Sequence, residues 1–271
     1  MTCRPRLVAS DLDGTLLRTD GTVSARTVAA WQRLDAIGIQ SVLVTARPPR
    51  WLHDLTDLVG PHGVAICANG AFVYDVRRRV VLQQHGIQHD LVQRLAADIR
   101  AAVPDAGFAV EHSGGYFAEP QYPELHPDDI PAEVMVAPIS DLPSSLVVGK
   151  LLARGTSLGD DEFLARVTRV VGDRAHVAFS GAGGLAEISA VGVTKAAALR
   201  DWCHELEVAA SQVWAFGDMP NDLPMLGWCG TAYAVANAHP DVLALADQVC
   251  ASNDHDGVAQ VIERLDPVRA P

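Results

Sequence analysis

The sequence predicts an α/β fold with a parallel-sheet core, into which a smaller α+β domain is inserted. Three observations predict it. Short apolar runs stop at small or polar residues, at Ser10, at Thr45 and at Ala68-Asn69-Gly70. A helical pattern lies between the first two runs, and strand–helix–strand order implies a parallel sheet with ligand sites beyond the carboxyl ends of its strands. After a central stretch of different texture, the alternation resumes near Thr194.

Taken in order, residues 7–10 are the first apolar run and the first strand. Ser24 is placed to cap the first helix, with Val28, Trp31 and Leu34 on one face and Gly38 as its stop. Residues 41–45 and 63–67 are the next two strands. Residues 83–188 read differently: a helix over 90–102, the segments Ser113-Gly114-Gly115 and Glu119-Pro120, a strand over 146–153 and a helix from Asp160. They form the inserted α+β domain, and residues 1–82 with 189–271 form a discontinuous core. Its second half carries a helix from Thr194, a strand at Val213-Trp214-Ala215-Phe216, a short helix after Asn221, a strand from Thr231 to Val235 and a last helix from Asp256.

At 271 residues and 49% hydrophobic content, the chain is long enough for one large domain or two ordinary ones. Its net charge of −12 disfavours nucleic acid and anionic membrane surfaces, because such partners need clustered Lys and Arg, and Arg77-Arg78-Arg79 is one short run. An acidic chain that binds phosphate esters must reverse its field locally, with a divalent cation and a few placed basic groups. The five cysteines (Cys3, Cys67, Cys203, Cys229, Cys250) are scattered without a Cys-x-x-Cys pair, which predicts reduced thiols and neither a disulfide framework nor a zinc knuckle. The ten histidines show no i, i+4 pairing with an acid of the kind zinc hydrolases use. No apolar run approaches the roughly 20 residues of a membrane span. The first strand begins too early for a signal peptide, so a cytoplasmic protein is expected.

The stretch Val8-Ala9-Ser10-Asp11-Leu12-Asp13-Gly14-Thr15-Leu16-Leu17 carries the chemistry. Side chains alternate along an extended strand, so Asp11 and Asp13 share a face if the strand continues, and the turn at Gly14 lets both reach one reacting group. One carboxylate then suits a nucleophile and the other a general acid and base. Standing alone, the same residues also read as an acidic turn. Three further segments at strand ends or helix starts hold Thr45 with Arg47, Lys195, and Asp218 with Asn221 and Asp222. Singly these read as a strand-end hydroxyl, a solvated helix residue and a helix cap. Together they are the residue types that phosphoryl transfer needs.

In order and placement these segments resemble the haloacid dehalogenase-like phosphohydrolases. Asp11-Leu12-Asp13-Gly14-Thr15 is similar to that family's first motif, Thr45 to its second, Lys195 in Gly192-Val193-Thr194-Lys195 to its third, and Gly217-Asp218-Met219-Pro220-Asn221-Asp222 to its fourth. The resemblance implies a Rossmann-like core in which Asp11 attacks phosphorus to form an aspartyl-phosphate. Asp13 would protonate the leaving alkoxide and then deprotonate water. Thr45 would donate to a phosphoryl oxygen, and Lys195, beside the N-cap candidate Thr194, would face the anion together with its helix N-terminus. Mg²⁺ is the implied cofactor, with Asp11, Asp13, Asp218 and Asp222 as hard oxygen ligands. Gly14, Thr15, Ala46, Arg47, Asn69, Gly70, Asn221 and Asn253 are the implied phosphate- and substrate-binding residues. Ala46 stands where relatives often have Gly, and simple loop capping is the alternative for Asn69.

The insert falls after Asn69-Gly70-Ala71, between the second and third motifs, and this placement resembles the Cof-like branch with a large α/β cap. The tail segments Ala236-Asn237-Ala238, Ala246-Asp247-Gln248-Val249 and Ser252-Asn253-Asp254-His255-Asp256-Gly257-Val258 are similar to that branch too. The resemblance implies an Mg²⁺-dependent phosphomonoesterase for a small phosphorylated metabolite such as a sugar phosphate, a monomer or homodimer without nucleic-acid or membrane partners. A sugar phosphomutase and a non-catalytic metabolite-binding regulator are the alternatives. The cap is expected to exclude water and contact the leaving group. Within it, Glu111-His112-Ser113-Gly114-Gly115-Tyr116-Phe117 reads as a substrate loop or as an exposed hairpin anchored by Tyr116 or Phe117, and Lys150 as facing the site or solvent.

Overall fold

The computed structural model describes residues 4–59, 63–122, 134–178 and 184–265, so the reading of Cys3 lies outside the described residues. The first strand, β1 (Leu7–Ser10), is buried along its whole length, as a strand covered on both faces must be. α1 (Ala25–Ala36) begins where the Ser24 hydroxyl accepts from the Thr27 N–H, and it buries Thr27, Ala30, Trp31 and Leu34 while Val28 sits at the margin of that face. β2 (Gln40–Val44) stops one residue short of Thr45. The short helix α2 (Thr56–Val59) and β3 (Val64–Cys67) follow. β4 (Phe72–Asp75) and β5 (Val80–Gln84), on either side of the Arg77-Arg78-Arg79 run, lie outside the sequence expectation, because β5 leaves Val80 and Leu82 exposed and shows no buried apolar run.

The next segment holds α3 (His89–Ala102), β6 (Gly107–His112), β7 (Gly115–Ala118), β8 (Val134–Val136), β9 (Val148–Arg154), α4 (Asp160–Val171), β10 (His176–Ala178) and β11 (Ala186–Ser189). Then come α5 (Lys195–Glu205), β12 (Val213–Gly217), α6 (Leu223–Trp228), β13 (Thr231–Val235), α7 (Pro240–Leu245), β14 (Gln248–Cys250) and α8 (Gly257–Ile262). α7 and β14 are too short for periodicity to show in the sequence. The chain divides into two compact units, Met1–Leu82 with Thr194–Pro271, and Gln83–Val193.

Eight strands run in the order β14-β13-β12-β1-β2-β3-β4-β5, parallel from β14 through β3, with β4 turned antiparallel to β3. In register, Ser10 of β1 stands beside Phe216 of β12 and Leu43 of β2. The residues just past these strands, Asp11, Asp218 and Thr45, therefore emerge at one edge of the sheet, where a parallel sheet places its ligands.

The unit Gln83–Val193 has its own six-stranded sheet, in the order β10-β11-β9-β6-β7-β8. α3 and α4 cover one face through Val92, Leu95, Ile99, Phe163 and Val167 against Phe108, Val110 and Leu151. The 111–117 segment is a hairpin inside this sheet: Glu111 pairs with Tyr116 in register, and Glu111, Tyr116 and Phe117 are all buried, so it is not an exposed loop. Lys150 points neither to solvent nor into a void; its ammonium donates to Glu187 Oε2 at 2.6 Å, with both side chains buried.

Cys203, Cys229 and Cys250 are free thiols, and burial pushes them up to about 12, about 11 and about 11, so they stay protonated. Among the described residues no helix is long and apolar enough to cross a membrane.

Candidate active site

Asp11 is the first residue past β1, and its N–H donates to the Phe216 carbonyl at 3.0 Å, which ties it to β12. The turn Leu12–Leu16 follows, with Gly14 in the left-handed region at φ +78°. A β-carbon at Gly14 would collide with Asp218 Oδ2, so this position has room for glycine alone. Next to it, the Thr15 hydroxyl donates to Asp218 Oδ1 at 2.8 Å.

Lys195 is the first residue of α5, after Thr194 has capped the helix by accepting from the Ala197 N–H. The buried ammonium donates to Asp11 Oδ1 at 2.5 Å and to Asp222 Oδ1 at 2.8 Å. Asp222 Oδ2 accepts from the backbone N–H groups of Asp218 and Met219 at 3.1 and 3.2 Å, so both of its oxygens are engaged. Asp11, Asp218 and Asp222 each present a ligand oxygen within 4.8 Å of the others. Lys195 holds Oδ1 of Asp11 and the Thr15 hydroxyl holds Oδ1 of Asp218.

Three buried carboxylates thus stand close to one ammonium, which bonds two of them. Burial pushes Asp11 well above the usual carboxylate range, more than the attraction of Lys195 can offset, and the neighbouring Asp222 adds to the rise. Asp218 is raised as well, by burial first, with the Thr15 hydroxyl opposing. For Lys195 burial disfavours the ammonium, yet Asp11 and Asp222 together outweigh it and hold the group above its ordinary value. A cluster with this excess of negative charge and hard oxygen donors throughout matches what a divalent cation requires.

Asp13, expected among the cation's ligands, lies apart from the triad. Its side chain is 56% exposed, and both oxygens are held by Arg47, Nε to Oδ2 at 2.8 Å and Nη2 to Oδ1 at 2.5 Å. Thr45 is fully buried; its hydroxyl oxygen accepts from the Arg47 N–H at 3.0 Å, which leaves the hydroxyl proton available to another acceptor. The corner is pinned from β3: the Ala68 N–H donates to the Arg47 carbonyl at 2.8 Å and the Asn69 N–H to the Thr45 carbonyl at 3.0 Å. Ala46 is not among the residues with positive φ, so the corner forms without glycine.

The remaining expected residues are dispersed. Asn69 sits in the left-handed region at φ 57°, which Asn tolerates better than most residues, and its buried Oδ1 has no hydrogen-bond partner among the described residues. Gly70 packs against the start of α5, since a β-carbon there would stand 2.5 Å from the Thr194 carbonyl oxygen. Asn221 is exposed in the turn before α6. Asn253 is buried and donates to the Leu17 carbonyl at 3.0 Å, outside the carboxylate cluster. Sequence reasoning misses Asn237 as a site residue: its Nδ2 donates to the Gly14 carbonyl at 2.7 Å. The tail motif containing it is visible in the sequence, but its partner 223 residues away is not.

The family model of haloacid dehalogenase-like hydrolases matches residues 8–262. The chain is 27% identical over 267 residues to the pyridoxal phosphate phosphatase YbhA of Escherichia coli strain K12, covering 95% of this chain and 97% of that protein. It is 27% identical over 256 residues to the HMP-PP phosphatase of Shigella flexneri, covering 88% of this chain and 87% of that protein. Among solved structures, TM0651 from Thermotoga maritima superposes with a TM-score of 0.81 at 23% identity, covering 97% of this chain and 98% of that one, a likeness of fold.

Proposed function

This chain belongs to the haloacid dehalogenase-like hydrolases and is a phosphatase, and from that premise we propose that it is an Mg²⁺-dependent phosphomonoester hydrolase working through an aspartyl-phosphate on Asp11. The observation that carries this reading is Asp11 itself: buried, with Oδ1 held by Lys195, and grouped with the carboxylates of Asp218 and Asp222. The relatives' named activities on pyridoxal phosphate and HMP-PP support a small phosphorylated metabolite as substrate.

Asp11 and Asp218 are the residues assigned to hold Mg²⁺, with Asp222 fixing Lys195 and the turn at Asp218. When bound there, Mg²⁺ would offset the negative charge of the nucleophile and its anionic target. Asp13, placed outside the triad, is assigned to proton transfer. In the first step an Asp11 oxygen forms a bond to phosphorus, the ester P–O bond breaks, and the leaving oxygen takes a proton from Asp13. In the second, water gives a proton to Asp13 and attacks phosphorus, the bond to Asp11 breaks, and inorganic phosphate leaves with the carboxylate restored. Lys195 lessens repulsion between the nucleophile and its anionic target, and the Thr45 hydroxyl donates to a phosphoryl oxygen. Arg47, Asn69 and the turn residues Gly14 and Thr15 complete the proposed phosphate and substrate surroundings. The unit Gln83–Val193 is assigned as the substrate-selecting cap.

The test is phosphate release from a panel of sugar phosphates, nucleotides and cofactor-precursor phosphates, with and without Mg²⁺, using Asp11→Asn as the blank. Mg²⁺-dependent release confined to the unsubstituted enzyme is expected, and comparable release by Asp11→Asn would remove Asp11 from the nucleophile's role.

A further inference from the structure

We infer that Asn237 is a positioning residue for proton transfer, holding in place the turn that carries Asp13. The inference rests on the assignment of Asp13 as the acid and base. The Asp13 side chain is more than half exposed; Arg47 fixes the plane of its carboxylate, and the backbone of the turn sets where that side chain starts. That backbone is not helical: Asp13 has φ −73° and ψ 121°, and Gly14 has positive φ. The turn is closed by the Leu17 N–H donating to the Leu12 carbonyl at 2.8 Å.

Two asparagines from distant loops tie this turn from outside it. Asn237, two residues past β13, donates from Nδ2 to the Gly14 carbonyl at 2.7 Å and accepts at Oδ1 from the Asn253 N–H at 3.0 Å. Asn253, beyond β14, donates in turn from Nδ2 to the Leu17 carbonyl at 3.0 Å and to the Thr19 hydroxyl oxygen at 3.4 Å. One amide therefore holds the middle of the turn and the other its far end, and a hydrogen bond joins the two. Asn237 needs a donor toward a carbonyl and an acceptor toward an N–H in one short planar group, which an amide offers and a carboxylate or an aliphatic side chain does not. Asn237 is exposed, so its service to the core is small and its service to the turn is direct.

The experiment compares kcat/KM for an alkyl phosphate substrate from the panel with that for 4-nitrophenyl phosphate, whose leaving group departs without needing a proton. Asp13→Asn, Asn237→Ala and Asn237→Asp are measured beside the unsubstituted enzyme, with thermal unfolding of each. Asn237→Asp keeps the acceptor for Asn253 and the shape while putting an anionic oxygen in place of the donor, so it reads the inference even where Asn237→Ala folds poorly. The expected result is a loss of roughly tenfold or more on the alkyl phosphate, a share of the 10²–10⁴-fold that positioned proton transfer supplies, with the 4-nitrophenyl value nearly unchanged. Equal losses on both substrates, or none, while Asp13→Asn shows the selective loss, would overturn the role of Asn237. If Asp13→Asn itself shows no selectivity, the assignment of Asp13 falls, and this inference with it.

Discussion

Arg47 grips Asp13 at both carboxylate oxygens, although the two residues leave different strands and stand 34 positions apart in the chain. Such a fork-to-fork pair orients as well as attracts, because the planar guanidinium dictates the plane of the carboxylate. In the proposed reaction Asp13 would serve a leaving group once Arg47 released one of its oxygens, and the phosphate proposed to sit beside Thr45 would be the competitor for that guanidinium.

Arg47→Ala is therefore expected to lower kcat/KM by about tenfold or more, within the range one positioned group supplies. It should barely move the unfolding temperature, because exposed ion pairs are worth about 0–1 kcal/mol. Arg47→Lys should not recover the rate, since an ammonium cannot bond both oxygens in the fork geometry. Steady-state kinetics with thermal unfolding checks this, and full recovery by Lys would reduce Arg47 to a simple charge.

Mg²⁺ should stabilise the folded protein by about 2.7 kcal/mol at a hundredfold excess over its Kd. Asp218→Ala should abolish that gain while Asp13→Ala keeps most of it, because Asp13 stands outside the buried triad. A calorimetric or fluorescence melt against Mg²⁺ concentration reads the difference. Loss of the gain in Asp13→Ala would return that carboxylate to the ligand set.

Lys150→Met should destabilise the unit Gln83–Val193 by about 3–5 kcal/mol, the cost of leaving Glu187 buried without its cation. The double variant Lys150→Met with Glu187→Leu should regain most of the loss. Urea unfolding of the three proteins is the measurement, and a mild single-variant effect would mean that water reaches Glu187 freely.

Asp105 accepts from the N–H and hydroxyl groups of Thr156 and Ser157, which hold its carboxyl far below its ordinary value, the Ser157 hydroxyl contributing most. Because the folded state depresses this group, its contribution is fully present above the unfolded value near 3.8 and is lost as pH falls below it toward the folded value. Asp105→Asn should flatten the fall in urea midpoint between neutral pH and pH 3. An unchanged slope would place the acid sensitivity elsewhere.

Much of this protein is legible in local pattern. Ser24 and Thr194 cap their helices as predicted because capping is a matter of adjacent residues, and β1, β3, β12 and β13 are readable because each is a short apolar run buried along most of its length. β5 and β14 are not legible, because they are the outermost strands of their sheet and their exposed Val80, Leu82 and Val249 belong to no buried run. The hairpin at 111–117 looks like a loop for a related reason: glycines and polar residues mark a turn, and nothing local shows that both flanking strands are covered.

By itself the sequence determined the α/β class, because periodicity is a property of neighbouring residues, and through its resemblance to a known family it named the residues of the candidate site. The tertiary structure alone decided how those groups divide: Lys195 bonds Asp11 and Asp222 across 184 and 27 residues, Asp13 goes to Arg47, and Asn237 holds Gly14. The reason is physical. A carboxylate's role depends on its burial and on which charges and donors stand within a few ångströms, and strand order, not sequence distance, brings those groups together.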